Sequence, residues 1–345
     1  WNDQLTGADV YYLAARSLVG PDGDIASGLA HFRKEVVSLP DLHLEHAHLA
    51  WAHLEHAHLV YAHLEHAKLG DTHLEHANLW GAHLANADLA FAHLERADFL
   101  VAILAGADLR SAFLDAGTNL TDSTVTDAEH GSARLADVRW QGVNLAVVKE
   151  WPVDMVLGDE EEAWKLARKP LPPTKTREER RDALEERRDE VREAFRAAAR
   201  ANRQLAAAMR DQGMNDEADH FAYRAQVMQR ELYRRQGRTF RAGFSRFLDL
   251  IAGYGYKPER SVAAYVLVIL TFAAAYFTLG HIVGPVLSPY GAAVFSMTSF
   301  HGRGFFPGGI SIEDPITGLS ALEALCGLII EVSLIATFTQ RFFGK

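Results

Sequence analysis

Apolar residues follow a strict period over the first third of the chain. Leucine stands at every fifth position from 44 to 94, and the series continues, with one phenylalanine, to Leu114. A small residue, nearly always alanine, stands two positions before almost all of these leucines. One residue is inserted before Leu120, after which the pattern continues more weakly. A period of five fits neither the turn of an α-helix nor the alternation of a strand, and it predicts a solenoid in which each repeat forms one side of a coil.

The repeats also match a known motif. Ala87-Asp88-Leu89 and Ala107-Asp108-Leu109 fit A-(D/N)-L-x-x, and about 100 residues of the chain resemble the pentapeptide-repeat family. The resemblance implies a right-handed quadrilateral β-helix with four repeats per coil and with the central leucine and the preceding alanine pointing inward. We expect this β-helix over residues 41–150, with an N-terminal helical cap over residues 1–40 and a second closure formed by the chain after Leu145.

Histidines occupy two outward positions of the repeat, one just before the central leucine and one two residues after it. Residues 20 apart stack on one face, so we expect His46 to lie over His66 and His56 over His76, with columns of glutamate beside them. Histidine and glutamate at this spacing suit Zn²⁺ binding or pH sensing. Because convergent ligands are not evident, a solvated polar face is the simpler interpretation, and these four histidines stay uncommitted metal candidates.

The next segment, residues 159–237, is highly charged and has helical periodicity. Leucine, valine and alanine recur every seven residues and predict a helix over about 176–211, and a turn at Gly213 leads into a second amphipathic helix. The sequence therefore predicts a helical hairpin that connects the solenoid to the rest of the chain.

Arginine and phenylalanine are interleaved in residues 238–256. Next to an apolar span, such a stretch predicts an interfacial helix on anionic headgroups, and a soluble packing helix is the alternative. Gly253 and Gly255, set among tyrosines, predict a hinge at its end.

The C-terminal segment 261–345 carries two apolar stretches. Residues 261–283 contain no Asp, Glu, Lys or Arg, and residues 317–339 contain Glu323 near their start and Glu331 near their middle. Each is long enough to span a bilayer. Basic residues flank the pair on both sides, so we expect both termini, and with them the solenoid, to lie in the cytoplasm.

Between these spans, residues 290–298 are too few to cross a bilayer and too apolar for a free loop, which predicts a re-entrant helix. The order of span, short helix, Gly-x-Gly and span resembles the two-transmembrane pore domain of potassium-type channels, whose filter reads T-V-G-Y-G. Gly302 and Gly304 match the two filter glycines. The resemblance implies a filter over 299–304 and, with the preceding threonine, the pore residues Thr298, Ser299, Phe300, His301, Gly302, Arg303 and Gly304.

The filter departs from the potassium pattern at Phe300, His301 and Arg303. Four arginines facing a tetrameric pore would repel cations and favour anions. An arginine that points into the protein instead needs a carboxylate, for which Glu331 is the candidate and Glu323 an alternative. Selectivity for a cation or an anion therefore stays open.

The composition of the whole chain is an average over segments that differ in charge. The formal net charge is −12 over residues 1–150, +3 over 151–260 and −1 over 261–345, which gives the −10 of the whole chain. The acidic total argues against a dedicated nucleic-acid binder, and a single cysteine excludes an intrachain disulfide framework. We find no phosphate loop, nucleophile elbow or HExxH motif in the sequence, so neither an enzyme nor a cofactor is expected.

Three functions follow as hypotheses. The first is a homotetrameric ion channel with a cytoplasmic regulatory solenoid, whose partners are the lipid bilayer, permeant ions and its own copies, and not nucleic acid. The second is a non-conducting membrane-anchored scaffold or sensor whose solenoid binds a protein or a metal ligand. The third, a DNA-mimic inhibitor of topoisomerases, fits the acidic solenoid but leaves the membrane segment without a role. We expect a multi-pass protein of the bacterial inner (plasma) membrane.

Overall fold

The computed structural model describes residues 42–152, 154–173, 176–282, 286–302 and 314–343. The chain divides into two compact units, Trp1–Gly237 and Arg238–Lys345. The N-terminal cap expected over residues 1–40 lies outside the described residues.

The five-residue period builds a solenoid with 20 residues per coil. Short parallel bridges join residues that are 20 apart, beginning with His43 to His63 and repeating up to His93 and Phe113. Central leucines such as Leu64 and the alanines that precede them, such as Ala67, are completely buried on the axis. The predicted pentapeptide-repeat solenoid, with four repeats per coil and leucine and alanine inside, is confirmed.

Each corner of a coil lies two residues after a central leucine and has a left-handed backbone. His46, Tyr61 and Val101 have φ angles of 59°, 55° and 60° at this position, a conformation in which valine and tyrosine are uncommon. The neighbouring coil satisfies the corner amides, because His46 N donates to the carbonyl oxygen of Glu65 at 2.9 Å. The stacked coils therefore stabilise a turn that the side chains alone disfavour.

The coil lengthens in two steps toward its C-terminal end. The spacing rises to 21 residues between Asp98 and Asn119, as the insertion before Leu120 predicts. It rises to 26 between Asp108 and Arg134. The extra residues form an antiparallel hairpin that the five-residue pattern did not predict. The strands of this region are β1 (Phe113–Asp115), β2 (Thr126–Asp127), β3 (Gly131–Ser132) and β4 (Arg139–Gln141), of which β1 pairs with β4 in parallel and β2 with β3.

Three helices close this end of the solenoid, as expected for the chain after Leu145. They are α1 (Gly158–Arg168), α2 (Arg177–Arg210) and α3 (Asn215–Arg235), and α2 and α3 form the predicted hairpin. Asp159 Oδ2 accepts hydrogen bonds from the backbone N–H groups of Leu135 and Ala136, at 2.5 and 3.1 Å. Side chains of α1 and α2 thus satisfy amides at an open coil edge, which is where an uncapped solenoid would recruit another strand.

The second unit contains α4 (Thr239–Ala252), a 3-10 turn (Gly253–Gly255), α5 (Pro258–Ile282), α6 (Pro289–Phe300) and α7 (Pro315–Phe343). Helices α5 and α7 coincide with the two predicted spans and are long and apolar enough to cross a membrane. Only 11% of the most apolar window of α5 and 22% of that of α7 is buried. Such exposure is the reverse of what a soluble core helix shows.

Candidate functional site

The short helix α6 lies between the two long apolar helices. Its Phe295 ring packs edge-to-face on Tyr276 of α5, and its last residue, Phe300, packs edge-to-face on Tyr265, both with ring centroids 4.8 Å apart. The two tyrosines are 11 residues apart on α5, so α6 packs along that helix and not at a single point. Ser288 caps the start of α6 by accepting a hydrogen bond from the N–H of Gly291, and a proline follows at the first helical position.

A glycine in α7 lets the end of α6 approach closely. A Cβ placed on Gly327 would overlap the carbonyl oxygen of Phe300 and would lie 2.9 Å from its carbonyl carbon. Only a residue without a side chain allows this contact between the two backbones. Gly327 was not among the residues that the sequence indicated. Its only signal was that it is a glycine within an apolar span.

One buried carboxylate links the three helices. Glu323 of α7 is completely buried, and it accepts hydrogen bonds from Tyr276 Oη of α5 at 2.7 Å and from Ser296 Oγ of α6 at 2.5 Å. The hydroxyl of Ser296 also lies 2.9 Å from the carbonyl oxygen of Ile269. An acidic group among apolar helices needs such partners, so Glu323 fixes the relative position of α5, α6 and α7.

The second predicted intramembrane charge, Glu331, lies beside His301. Its Oε1 is 3.4 Å from His301 Nε2, and Tyr265 Oη is 3.3 Å from the same nitrogen. His301 Nδ1 lies 2.7 Å from the carbonyl oxygen of Met297, to which an N–H there would donate. With Nδ1 protonated in this way, a neutral His301 accepts from the tyrosine at Nε2, and a cationic His301 donates to Glu331. Among the described residues of this site, His301 is therefore an ionisable partner of Glu331. The expected partner, Arg303, lies outside the described residues.

His301 and Glu331 line an open groove of about 530 Å³, together with Gly302 and apolar residues of α7. Gly302 has a φ of 66° and ends the helix, because its N–H donates back to the carbonyl oxygen of Ser299. The groove combines an ionisable pair, a backbone turn and an apolar wall.

The predicted filter differs from the structure at its beginning. We expected helix α6 to end at residue 298, but it continues to Phe300, so Ser299 and Phe300 are helical and buried and are not part of an extended loop. Thr298, the last residue before the expected filter, turns its hydroxyl to the carbonyl oxygens of its own helix. The helix extends because Phe300 gains a packing site against Tyr265. Gly304 lies outside the described residues, as does Arg303.

Helix α4 exposes an aromatic face. Phe240, Phe244 and Phe247 stack along one side of it and remain 84%, 54% and 39% exposed. The residues expected as a hinge follow directly, and Gly253 and Gly255 have φ angles of 51° and 90°. The exposed rings are those that an interfacial helix would present to lipid.

On the solenoid, the two predicted histidine pairs stack as expected. The rings of His46 and His66 are 4.9 Å apart, and those of His56 and His76 are 4.7 Å apart. These four histidines stand at the left-handed corners, and in the described part of the chain none of them belongs to a group of three metal-ligand side chains. Such groups instead use the histidines that precede the central leucines, with glutamates two residues further on. The sequence thus indicated this surface but did not distinguish the corner histidines from the column that forms these groups.

The repeats also match a family model. The model described as "Pentapeptide repeats" aligns to residues 47–82, 67–100 and 82–127. These residues form a pentapeptide-repeat domain.

Solved pentapeptide-repeat proteins resemble the chain over about a third of its length. One from the thylakoid lumen of Arabidopsis thaliana is 21% identical, with 31% of this chain and 68% of that one covered and a TM-score of 0.23. One from Nostoc PCC 7120 is 27% identical, with 33% and 95% covered and a TM-score of 0.26. HetL of Nostoc, described as involved in heterocyst differentiation regulation, is 24% identical, with 34% and 50% covered and a TM-score of 0.22. The chain matches none of the curated proteins compared with it.

The pentapeptide-repeat domain is bonded to the helical hairpin through groups that sequence reasoning missed. Gln212, in the turn that follows α2, accepts from the N–H of Leu145 at 2.8 Å and donates to the carbonyl oxygen of Val143 at 2.7 Å. Arg200 forms a two-nitrogen contact with Asp137, at 3.0 to 3.3 Å. These contacts join residues more than 60 positions apart, so no local pattern reveals them.

Proposed function

We propose that the protein is a homotetrameric ion channel of the cell membrane, in which α5, α6 and α7 form the pore and the pentapeptide-repeat domain regulates it from the cytoplasm. The observation that carries the proposal is the placement of α6. This helix is too short to cross a bilayer, yet it lies against two helices that are long enough, and it ends at the glycine turn of Gly302 beside an ionisable pair. A helix buried in this way is how a membrane protein admits irregular backbone at bilayer depth.

The groove supplies the groups that a permeant ion would meet. If it faces the axis of a tetramer, four copies of Glu331 and His301 surround one path. The carboxylates of Glu331 would favour cations along this path. Selectivity in this proposal therefore depends on Glu331.

Planar bilayers containing the purified full-length protein test the proposal directly. A reversal potential measured with KCl on one side and NaCl on the other, and again with unequal total salt, identifies the permeant ion. We expect a cation current, and Glu331→Gln should reduce its preference for cations over anions. A current with the same ion preference in the wild type and in Glu331→Gln would show that the groove is not the conduction path.

The non-conducting scaffold is the second candidate, and a specific observation favours it. Two of the residues expected in the filter, Ser299 and Phe300, are buried in a helix and cannot present carbonyl oxygens to an ion. In this candidate the membrane helices anchor the pentapeptide-repeat domain, which binds a protein or a ligand. Absence of current at every pH, voltage and membrane tension, from protein shown to be folded, would transfer support to it.

The solenoid would act on the membrane helices through the hinge at Gly253 and Gly255. Both residues have left-handed backbones, and a Cβ on Gly253 would lie 2.7 Å from the side chain of Lys257. Gly253→Ala should therefore strain the turn and alter channel opening without altering the reversal potential. Unchanged opening would remove the hinge from the regulatory model.

A further inference from the structure

Histidine and glutamate form two ladders on the pentapeptide-repeat solenoid. The first ladder consists of His43, Glu45, His63, Glu65 and His83, and the second of His53, Glu55, His73, Glu75 and His93. Equivalent residues of the two ladders are ten positions apart, which is half of a 20-residue coil, so the ladders lie on opposite sides. Within each ladder, successive histidines come from successive coils and are held in register by the parallel bridges between them.

The carboxylate of Glu65 shows how the groups converge. Its Oε1 lies 3.5 Å from His63 Nδ1 in the same coil and 3.3 Å from His83 Nδ1 in the next. Zinc bonds of about 2.0–2.1 Å to nitrogen and oxygen place two donors of a tetrahedral site about 3.3 Å apart. Two of the three separations thus already match those between ligands of one ion, and all three atoms lie within 4.8 Å of one another. The His63 and His83 rings, with centroids 4.8 Å apart, are tilted by 48°.

The second carboxylate oxygen of Glu65 is an independent sign. Glu65 Oε2 and its counterpart Glu75 Oε2 are buried and make no hydrogen bond within the described part of the chain. A buried carboxylate oxygen without a donor is costly, and a cation beside the carboxylate offsets that cost.

Ring stacking holds successive histidines of a ladder in line. His43 and His63 stack with centroids 4.5 Å apart, and His53 and His73 with centroids 4.6 Å apart. In His43 and His53, Nδ1 is the ring nitrogen that faces the glutamate two residues further on, at 2.7 Å from Glu45 Oε1 and 3.0 Å from Glu55 Oε1. A metal ion bound between these atoms would take the place of a hydrogen that Nδ1 donates to the carboxylate.

We propose that each ladder binds one divalent transition-metal ion, of which Zn²⁺ is the probe, through the Nδ1 atoms of two histidines from successive coils and the glutamate between them. Two histidines and one carboxylate form a known zinc ligand set that leaves a position for water. Each ladder contains two overlapping groups that share one histidine, His63 in the first and His73 in the second. Because one Nδ1 lone pair binds one metal ion, each ladder holds a single fully liganded ion. The proposal depends on the solenoid alone and stands whether or not the protein conducts ions.

Calorimetric titration of ZnCl₂ into the metal-free full-length protein in detergent tests this stoichiometry. We expect two ions on the wild type, one on His63→Asn, one on His73→Asn and none on the double variant. Asparagine occurs naturally at this position of the repeat as Asn78 and Asn119, so both variants should fold.

His66→Asn is the matched control. Residue 66 is a corner histidine with a φ of 59°, and Asn86 holds an equivalent corner with a φ of 58°. The control should still bind two ions. Absence of zinc binding to the wild type, a double variant that retains two ions, or a control that loses one would each overturn the proposal.

A spectroscopic measurement covers the case in which the double variant does not fold. Co²⁺ added to the wild type should give the strong visible absorption of a four- or five-coordinate ion with nitrogen and oxygen ligands, and Zn²⁺ should abolish it. A weak octahedral spectrum, as for the hydrated ion, would contradict the ligand set.

Discussion

Gly327 of α7 lies directly against the carbonyl oxygen of Phe300, the last residue of α6. This contact seats the short helix between the two apolar helices and leaves no room for a methyl group. A second glycine of the same helix, Gly318, has open space around it. The two positions therefore separate the effect of close packing from the effect of glycine on helix stability.

Gly327→Ala should destabilise the second unit by about 1–3 kcal/mol, because the new methyl group forces α6 away from α7. Gly318→Ala should leave stability unchanged or raise it by about 0.5–1 kcal/mol, as alanine is the better helix former. Thermal unfolding of the full-length protein in detergent checks both. Equal effects at the two positions would show that α6 does not depend on this contact.

The hydrogen-bonded carboxylate of Glu323 gives a second prediction. Glu323→Gln keeps an acceptor for Tyr276 and should fold almost as well as the wild type. Glu323→Leu leaves the hydroxyl of Tyr276 without this acceptor and removes one of the two acceptors near the hydroxyl of Ser296, and it should cost about 1–3 kcal/mol. Guanidinium or heat unfolding in detergent measures the difference. If leucine is tolerated as well as glutamine, the carboxylate does not organise the three helices.

Acid should affect the closure of the solenoid through Asp159. Burial raises the pKa of this carboxyl to about 6 from an ordinary value of 3.8, although two backbone N–H groups and Arg110 oppose the shift and Asp108 adds to it. The pKa of Asp159 is higher in the folded protein than in the unfolded chain. Protonation of this carboxyl therefore stabilises the folded protein, and the stabilisation is complete below about pH 4. It is lost as the pH rises through about 6.

Asp159→Asn keeps an acceptor for the N–H groups of Leu135 and Ala136 without a charge. It should raise the free energy of unfolding at pH 7.5 by about 1–3 kcal/mol and flatten its decline between pH 4 and 6.5. The free energy of unfolding of this variant should still decline somewhat with rising pH because of Glu160. Burial also raises the pKa of the Glu160 carboxyl, although Arg224 opposes the shift. Asp159→Ala, which removes the acceptor, should instead be less stable than the asparagine variant at every pH. Unfolding curves across this pH range distinguish the two, and a wild type whose stability rises over the interval would contradict the assigned direction.

The coil edge gives a fourth prediction. Gln212→Ala removes both hydrogen bonds to the edge at Val143 and Leu145 and should cost about 1–2 kcal/mol. Gln226, an exposed glutamine of α3, supplies a matched alanine variant that should cost almost nothing. Proteolysis or hydrogen exchange at the edge should increase in the first variant alone. Equal protection in both would mean that packing, and not this amide, closes the coil.

The sequence predicted most of the solenoid and little of its closure. The five-residue period predicts both the length of a coil and the buried residues, because the same positions of every repeat face the axis of the solenoid. It could not predict the hairpin at Thr126–Ser132, since there the leucine pattern weakens and the extra residues lie outside the coil. The contacts of Asp159 and Gln212 join distant residues and depend on where α1 and α2 dock.

The candidate sites were also predictable only in part. Hydropathy predicted the two long apolar helices and the short helix between them to within a few residues. The partner of Glu331 was not predictable, because His301 reaches it only after α6 continues to Phe300. The two outward histidine positions look equivalent in the sequence. Only the left-handed corner distinguishes His66, at the corner, from His63, whose Nδ1 faces a glutamate.

The ten-residue unit that carries each ladder is half a coil long, and this has a consequence for how such a rod can change length. Duplication of one unit adds half a turn, so every inward leucine stays inward and every outward histidine stays outward. What changes is which of the two ladders gains a further histidine and glutamate. Lengthening of the solenoid therefore needs no compensating substitutions until it reaches the insertion before Leu120, where the spacing between bridged residues rises to 21 and is no longer a multiple of five. The near-identical units at the start of the solenoid have the form that such growth leaves behind.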